Sequence, residues 1–384
     1  MLGGRINILV NAIGIANSGG VNVLEKLIIE LSQSKHNQYY FICSNNEYVV
    51  ELIKRYKNIY TINFKVIDKK SFLYRLYFEN IIFKKIVNNH TIDLIYNFSG
   101  TSQFFINTPQ LIKVQNLLFY SKKLDDFYWL NSQFILWVKQ IFLKRIVFKL
   151  MLNRSKHIEI QSSHVKSCLL YFIDTREKLF YVKSDIEISN GVFHAPKQYD
   201  FSNKIKFLYI VGPHFELIHK NLIDFTRAML VMNDKDIDFE INITLTNKQL
   251  NNSKVWDASL NSKTNYLGYM GNQEKMAELF CDNTILISTS VIETLGLHVI
   301  EGIKNGVVTI APDEKYATTV YGKNMFKYEL FNKNSLVRTI MSAVNYKESY
   351  SEKILSIQDD LRQSEMSKFG SILEVFNEVI NVQK

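Results

Sequence analysis

The chain has 384 residues, of which 47% are hydrophobic and 22% are charged. This length exceeds what one hydrophobic core comfortably serves, so two domains are expected, and the composition excludes an intrinsically disordered chain. The formal net charge of +9 favours anionic partners, which include nucleic acid, a membrane surface and phosphorylated substrates, and by itself selects none of them.

The first half of the chain alternates between apolar β-like runs and helical patterns. A loop at residues 14–20 and a helix at 21–32 follow the first run. This alternation predicts a mostly parallel sheet that is covered on both faces. The predicted strands are residues 6–12, 39–43, 62–67, 92–96 and 110–115.

A second series of the same kind begins at residue 205, with a helix at 220–231 after its first strand. Turn residues at Asn190-Gly191 and Ala195-Pro196 place the boundary near 197–204. We therefore expect one Rossmann-like domain at 1–198, a second at 199–350 and a C-terminal helical stretch at 351–384. The strands predicted in the second series are 205–211, 239–245, 265–267, 284–288 and 307–311.

The most informative motif pairs two carboxylates, Glu293 and Glu301, across seven intervening residues where a strand gives way to a helix predicted at 297–304. Glu293 should lie at the carboxyl end of the strand, where open α/β sheets bind ligands. The free backbone N–H groups near Leu295 and Leu297 would form a helix N-terminus suited to a diphosphate, and Gly296 would let the backbone approach closely. The motif indicates a nucleotide-sugar site.

This pattern resembles the signature of the family 4 retaining glycosyltransferases. The resemblance implies the GT-B fold, an α/β arrangement of two doubly wound Rossmann-like domains with an interdomain cleft, in which the C-terminal helix crosses back to the first domain. It also implies that Glu293 is catalytic and contacts hydroxyls of the donor sugar, while Glu301 contacts the ribose. We expect a metal-independent hexosyltransferase that needs no cofactor and uses a nucleotide-diphosphate sugar as substrate.

Two glycines, Gly19 and Gly20, follow the first strand without forming a full G-x-G-x-x-G motif. They are consistent with a plain tight turn. The resemblance implies instead a glycine loop that approaches the donor phosphates and the acceptor.

The stretch after the second domain's first strand matches the family at Lys220 and Asn221, which would bind the donor. Lys220 would also be catalytic, because it neutralises the leaving diphosphate. Pro213 stands where the family usually has an arginine. His214 or His219 is a candidate replacement, and a solvated loop histidine is the alternative.

Amide side chains occupy the position where the family often has a histidine that contacts the transferred sugar. Gln115 or Asn116 could bind a sugar hydroxyl but could not carry a proton at neutral pH. The alternative is a loop-capping amide, and Asn97 and Ser99 are weaker candidates. The spacing of Asp234 and Asp236 is that of a metal-binding motif, but ordinary turn chemistry explains it better, so we expect no metal.

A basic and aromatic segment at residues 120–157 predicts a helix whose Lys139, Arg145 and Lys149 share one face. Such a face suits the anionic inner leaflet, and the alternative is a solvated helix over ordinary core aromatics. No recognised nucleic-acid-binding module is present, so nucleic acid is not expected as a partner.

The localisation can also be predicted. The chain has three widely separated cysteines, no signal-peptide core and no apolar run long enough to span a membrane. We therefore expect a cytoplasmic protein that is peripheral on the inner face of the membrane.

Together these features predict a retaining transferase that moves a sugar from a nucleotide-diphosphate donor to a glycan, lipid-linked acceptor. The composition of the chain resembles that of proteins encoded in bacterial gene clusters for O-antigen, capsule and lipopolysaccharide synthesis. Two alternatives stay open: a GT-B nucleotide-sugar epimerase, and a catalytically silent, membrane-bound member of a glycan-assembly complex.

Overall fold

In the computed structural model the chain divides into two compact units, Met1–Ile186 with Glu365–Lys384, and Glu187–Ser364. Each unit holds one parallel β-sheet. The structure describes residues 5–15, 18–68, 71–130, 132–186, 191–200, 202, 204–212, 214–235, 237–270, 273–332, 334–346, 350–364 and 367–382.

The first unit has a seven-stranded sheet in the order β3-β2-β1-β4-β5-β6-β7, in which every pair is parallel. The strand order reverses between β1 and β4, so the carboxyl ends of these two strands form the switch point at which such sheets bind ligands. The strands are β1 (Asn7–Ala12), β2 (Gln38–Ser44), β3 (Ile62–Ile67), β4 (Leu94–Asn97), β5 (Gln110–Val114), β6 (His157–Ile160) and β7 (Leu179–Val182).

Helices cover both faces of this sheet. Two π-helical turns, Phe78–Ile82 and Val138–Phe142, join α3 to α4 and α6 to α7, so that each pair forms one longer helix. The helices are α1 (Ser18–Ser32), α2 (Glu47–Tyr56), α3 (Phe72–Tyr77), α4 (Phe83–His90), α5 (Lys122–Leu130), α6 (Phe134–Trp137), α7 (Leu143–Arg154) and α8 (Ser163–Leu169).

The side chains of β1 alternate between two cores because successive residues of a strand point to opposite faces. Ile8 and Val10 join the core under α1, whereas Leu9 joins the core under α4 and the π-helical turn that precedes it. The helix α16 (Ile372–Asn381) also packs on the α1 side, where Phe376 lies 5.1 Å from the ring of Tyr96.

The second unit has a six-stranded parallel sheet in the order β10-β9-β8-β11-β12-β13, and its order reverses between β8 and β11. The strands are β8 (Ile205–Tyr209), β9 (Phe239–Ile243), β10 (Thr264–Tyr266), β11 (Thr284–Ile287), β12 (Val308–Pro312) and β13 (Phe326–Tyr328). The helices are α9 (Leu222–Asp234), α10 (Asn247–Asn251), α11 (Gln273–Glu278), α12 (Leu297–Lys304), α13 (Lys315–Tyr321), α14 (Ser335–Val344) and α15 (Tyr350–Gln363).

The C-terminal helical stretch consists of two helices, of which α15 belongs to the second unit and α16 to the first. Part of the predicted boundary segment at 197–204 is bonded to the second sheet. The Lys197 amide donates to Gly306 O at 2.8 Å, and the Tyr199 hydroxyl donates to Thr284 O at 2.8 Å. Among the helices of the described ranges, none is both long enough and apolar enough to cross a membrane.

Candidate functional site

A pocket of about 130 Å³ lies at the carboxyl edge of the second sheet, where β8 and β11 end beside the first turn of α12. This is the switch point of that sheet, the position at which open α/β sheets bind ligands. Hydroxyl groups, one ammonium group and one imidazole share its wall. The lining residues are Tyr209, Ile210, Val211, Gly212, Lys220, Ser288, Thr289, Ser290 and His298.

An ion pair at the pocket wall joins Lys220 Nζ to Glu293 Oε1 at 2.6 Å. The side chains are 27% and 16% exposed respectively. Burial by itself would raise the pKa of Glu293, but the Lys220 ammonium, with smaller contributions from His298 and the Ser290 hydroxyl, lowers that pKa to about 2. Glu293 is therefore a carboxylate at neutral pH, with the ammonium beside it.

Buried hydroxyl groups fix the backbone that carries Lys220. The Lys220 carbonyl accepts from the Tyr209 hydroxyl at 3.1 Å and from Thr289 Oγ1 at 2.8 Å, and these two hydroxyls lie 2.7 Å apart. The Val291 amide donates to the His219 carbonyl at 2.7 Å. The loop after β11 and the turn before α9 are thus bonded directly, which preorganises the ammonium.

The first turn of α12 depends on Gly296, whose φ of 62° lies in the left-handed region. A Cβ atom at this position would lie 2.0 Å from the Tyr321 hydroxyl oxygen. The earliest intrahelical bonds are donated by Val299 and Ile300 to the Gly296 carbonyl. The N–H groups of Leu297 and His298 precede these bonds, and they are the groups that a helix N-terminus offers to an anion.

The other residues of the carboxylate motif differ in exposure. Glu301 lies one turn into α12 with an exposed side chain. Leu295 is 1% exposed, so its side chain belongs to the core. The helix predicted at 297–304 has the bounds found for α12, because its apolar spacing and the glycine before it mark both the face and the start.

His298 is a pocket residue that the sequence analysis missed. Its Nε2 lies 3.0 Å from Ser288 Oγ. Burial, against the opposing effect of Glu293 and with a smaller contribution from Lys220, lowers its pKa to about 4. The imidazole is therefore neutral at pH 7. Its place in the first turn of the predicted helix was the available signal.

The two histidines proposed as replacements for the missing arginine do not line this pocket. His214 is exposed. His219 is buried, and burial together with the neighbouring Lys220 lowers its pKa to about 4. Pro213, at the arginine position, lies outside the described residues.

Asn221 is buried in the second unit, where it precedes α9. It is 3% exposed and adopts a left-handed backbone conformation with φ of 51°. Its Nδ2 donates to Asp224 Oδ2 at 2.7 Å. The side chain predicted to bind the donor thus holds the start of α9, which the spacing alone could not distinguish from a ligand contact.

The predicted glycine loop in the first unit is shorter than expected. The helix α1 begins at Ser18 rather than at 21, so Gly19 and Gly20 lie in its first turn. Residues 16–17 lie outside the described ranges. Among the described residues, a Cβ at Gly19 would meet no atom within 4 Å, whereas one at Gly20 would approach Ile15 Cγ2 at 3.3 Å.

The two amide candidates after β5 have different surroundings. Asn116 is exposed, and its Oδ1 accepts from the Leu118 amide at 2.8 Å, which is the loop-capping arrangement. Gln115 Nε2 is buried and has no hydrogen-bond partner among the described residues. Gln115 is thus the amide with unused bonding capacity.

The weaker amide and hydroxyl candidates are engaged in the fold. Asn97 is fully buried, donates to Gln110 and accepts from Gln103 at 2.9 Å. Ser99 Oγ donates to the Asn11 carbonyl and accepts from the Gly14 amide at 2.9 Å.

A buried polar network at the switch point of the first sheet was not predicted. Glu79 Oε1 accepts from Asn11 Nδ2 at 2.8 Å, from Arg75 Nε at 3.0 Å and from Thr101 Oγ1 at 2.9 Å. The π-helical turn directs Glu79 inward, and such turns are frequent at functional sites. Because its members come from distant segments, no local spacing identifies the network.

The prediction that Lys139, Arg145 and Lys149 form one free basic face is wrong for Arg145. Arg145 donates to both carboxylate oxygens of Asp125 at 2.8 Å and to the Phe119 carbonyl at 2.6 Å. Its side chain is 12% exposed, whereas Lys139 and Lys149 are exposed. A sequence helical wheel cannot detect such a partner from another helix.

Over the described ranges, no group of three or more His, Cys, Asp or Glu side chains is placed to share a metal ion. Asp234 ends α9, and Asp236 lies outside those ranges.

Sequence comparison finds no match among family models or curated proteins. By contrast, 296 chains of solved structures match. Sucrose-phosphate synthase from Thermosynechococcus elongatus superposes with a TM-score of 0.70 at 13% identity, with 99% of each chain covered.

Two further structures also cover nearly the whole chain. HepE from Anabaena, solved with UDP and glucose, has a TM-score of 0.63 at 12% identity and covers 99% of both chains. The lipopolysaccharide outer core galactosyltransferase WaaB has a TM-score of 0.58 at 14% identity, covering 99% of this chain and 100% of that one. With its two parallel α/β sheets, the chain therefore has the two-domain, Rossmann-like GT-B fold.

Proposed function

We propose that the protein is a metal-independent retaining glycosyltransferase that moves a hexose from a nucleotide-diphosphate donor to a glycan. The observation that carries this proposal is the Lys220–Glu293 pair at the switch-point pocket. A carboxylate that is ionised at neutral pH accepts hydrogen bonds from sugar hydroxyls. An adjacent ammonium and a helix N-terminus suit a diphosphate.

The proposed roles follow from this geometry. Glu293 binds hydroxyls of the donor sugar, and Glu301, exposed on α12, binds the ribose. Lys220 and the amides of Leu297 and His298 stabilise the charge that builds on the leaving diphosphate. Lys220 is paired with Glu293 before the donor binds, so the donor exchanges that contact for a phosphate on the ammonium and a hydroxyl on the carboxylate.

The neighbours support the class of substrate. The HepE structure contains UDP and glucose, and WaaB is named as a lipopolysaccharide galactosyltransferase. We propose by analogy a UDP-linked donor and a role in assembling O-antigen, capsule or a related polysaccharide on a lipid-linked acceptor.

A surface of the first unit supports contact with a lipid-linked acceptor. Exposed apolar side chains alternate with exposed Lys139, Lys144 and Lys149 along α5 to α7. Apolar groups flanked by lysines complement a bilayer with anionic headgroups, so we place the protein on the inner face of the cytoplasmic membrane. The exposed apolar residues are Trp129, Leu130, Phe134, Ile135, Leu136, Phe142, Leu143, Ile146 and Leu150.

Vesicle sedimentation tests this surface. Changing Leu143, Ile146 and Leu150 together to serine should reduce binding to vesicles of phosphatidylglycerol and phosphatidylethanolamine by more than tenfold, because each buried side chain contributes about 1.5 kcal/mol or more. The matched control is Leu355→Ser, an exposed leucine on α15 of the second unit. Unchanged sedimentation of the triple variant would exclude the bilayer. If the wild type self-associates but does not bind vesicles, and the triple variant does not self-associate, the face binds a second copy of the chain.

A product assay tests the function itself. Purified protein is incubated with a panel of UDP- and GDP-sugars, with and without a lipid-linked glycan, and the products are identified by mass spectrometry. Transfer only when acceptor is present is expected, and Glu293→Gln should abolish it while the exposed Glu51→Gln should not. An epimerised donor without acceptor would establish the epimerase, and neither product would indicate a catalytically silent chain.

A further inference from the structure

The charged side chains at the switch-point pocket of the second unit form a neutral pair, so they leave part of the charge of a diphosphate unbalanced. The lysine of the pocket, Lys220, is already paired with the Glu293 carboxylate, so the two charges offset each other. A nucleoside diphosphate brings two or more negative charges, and anionic ligands are stabilised by nearby cations. Among the described residues that line the pocket, His298 is the remaining group that could become a cation near neutral pH.

The position of His298 is compatible with both protonation states. Its Nε2 lies 3.0 Å from Ser288 Oγ, and Ser288 lines the same pocket. A serine hydroxyl both donates and accepts. It therefore donates to a neutral Nε2 and accepts from a protonated one, so proton uptake leaves no buried nitrogen without a partner.

The charges around His298 favour the neutral form in the free protein. Burial and Lys220 lower its pKa to about 4, against the opposing effect of Glu293. A diphosphate in the pocket adds negative charge and draws Lys220 toward itself. The added negative charge favours the imidazolium and should raise the pKa of His298.

We infer that His298 supplies the second positive charge of the diphosphate pocket by taking up one proton when a nucleoside diphosphate binds. The inference rests on the proposed function, whose donor carries that group. It assigns to His298 the charge that the absent arginine would have provided. His214 and His219 do not line the pocket.

Titration calorimetry with UDP tests the inference. Binding is measured from pH 8 to pH 6, in two buffers of different ionisation enthalpy, for the wild type and for His298→Gln. Since the ligand titrates identically in both experiments, the dissociation constant of His298→Gln divided by that of the wild type reports His298 alone. That ratio should rise as the pH falls, by up to about tenfold per pH unit for one proton, and the wild type alone should take up the proton.

Two variants complete the design. His298→Lys carries a permanent charge and should bind UDP without the pH-dependent term. His219→Gln removes an equally perturbed histidine that lies next to Lys220 but off the pocket wall, and it should keep the wild-type pH dependence. If His298→Gln proves unfolded by circular dichroism, the comparison of His298→Lys with the wild type decides the question in its place.

The outcomes separate the inference from the proposed function. UDP binding by the wild type with a flat ratio, or loss of proton uptake in His219→Gln instead, would overturn the role of His298 and leave the transferase intact. Failure of the wild type to bind either UDP or GDP would overturn both.

Discussion

Replacing Lys220 by methionine should destabilise the second unit, because Glu293 would be left as a buried carboxylate without its ammonium partner. The pKa of Glu293 falls from its usual 4.5 to about 2 in the folded protein. A pKa difference of 1 corresponds to about 1.36 kcal/mol, so the ion pair and its neighbours stabilise the fold by roughly 3 kcal/mol at most. The 16% exposure of the side chain leaves little screening by solvent.

The pH dependence of this loss has a defined direction. A depressed carboxylate pKa stabilises the fold above the unfolded value of 4.5, and the stabilisation disappears as the pH falls toward 2. The difference between the wild type and Lys220→Met should therefore be largest at pH 7 and much smaller near pH 3.

Hydrogen-exchange mass spectrometry in a urea series is the appropriate assay, because it reports the second unit separately from the first. The double variant Lys220→Met with Glu293→Gln should recover most of the stability, since neither buried charge remains. Wild-type stability of Lys220→Met at pH 7, or an equal loss at pH 7 and pH 3, would refute the ion-pair reasoning.

Three further changes test other parts of the account. Glu301→Ala should weaken UDP-sugar binding in calorimetry by roughly 1.5–3 kcal/mol without lowering the melting temperature, and unchanged affinity removes Glu301 from the site. Gly296→Ala should cost more than about 1 kcal/mol in thermal unfolding, part of which Tyr321→Phe should restore by removing the hydroxyl from the clash; no recovery contradicts the contact. Arg145→Ala should lower the melting temperature whereas Lys149→Glu should not, and equal effects would show that the Arg145 pair is not structural.

Local patterns in the sequence were sufficient for much of the fold. The strand at 62–67 and the helix at 297–304 have the predicted bounds, because apolar periodicity and turn residues mark them directly. The strands β6, β7 and β13 were missed. Their runs are only three or four residues long, so the pairing with neighbouring strands, rather than local pattern, defines them.

The candidate site was predictable only in part. The spacing of Glu293 and the match at Lys220 named two residues that the structure brings within 2.6 Å of each other. The partner of Arg145 lies on another helix, which motif spacing does not encode, and the same spacing cannot distinguish a buried Asn221 bonded locally to Asp224 from one that contacts a ligand. His298 was not predicted because a lone histidine in the first turn of a helix belongs to no motif with a recognised spacing.

The central claim is that the diphosphate of a nucleotide sugar binds in the pocket bounded by Lys220 and the first turn of α12. A crystal structure of the protein with UDP tests this most directly. We expect the β-phosphate within hydrogen-bond distance of Lys220 Nζ and of the amides of Leu297 and His298, with the Lys220–Glu293 contact lengthened. A diphosphate bound elsewhere, with that ion pair still at 2.6 Å, would contradict it.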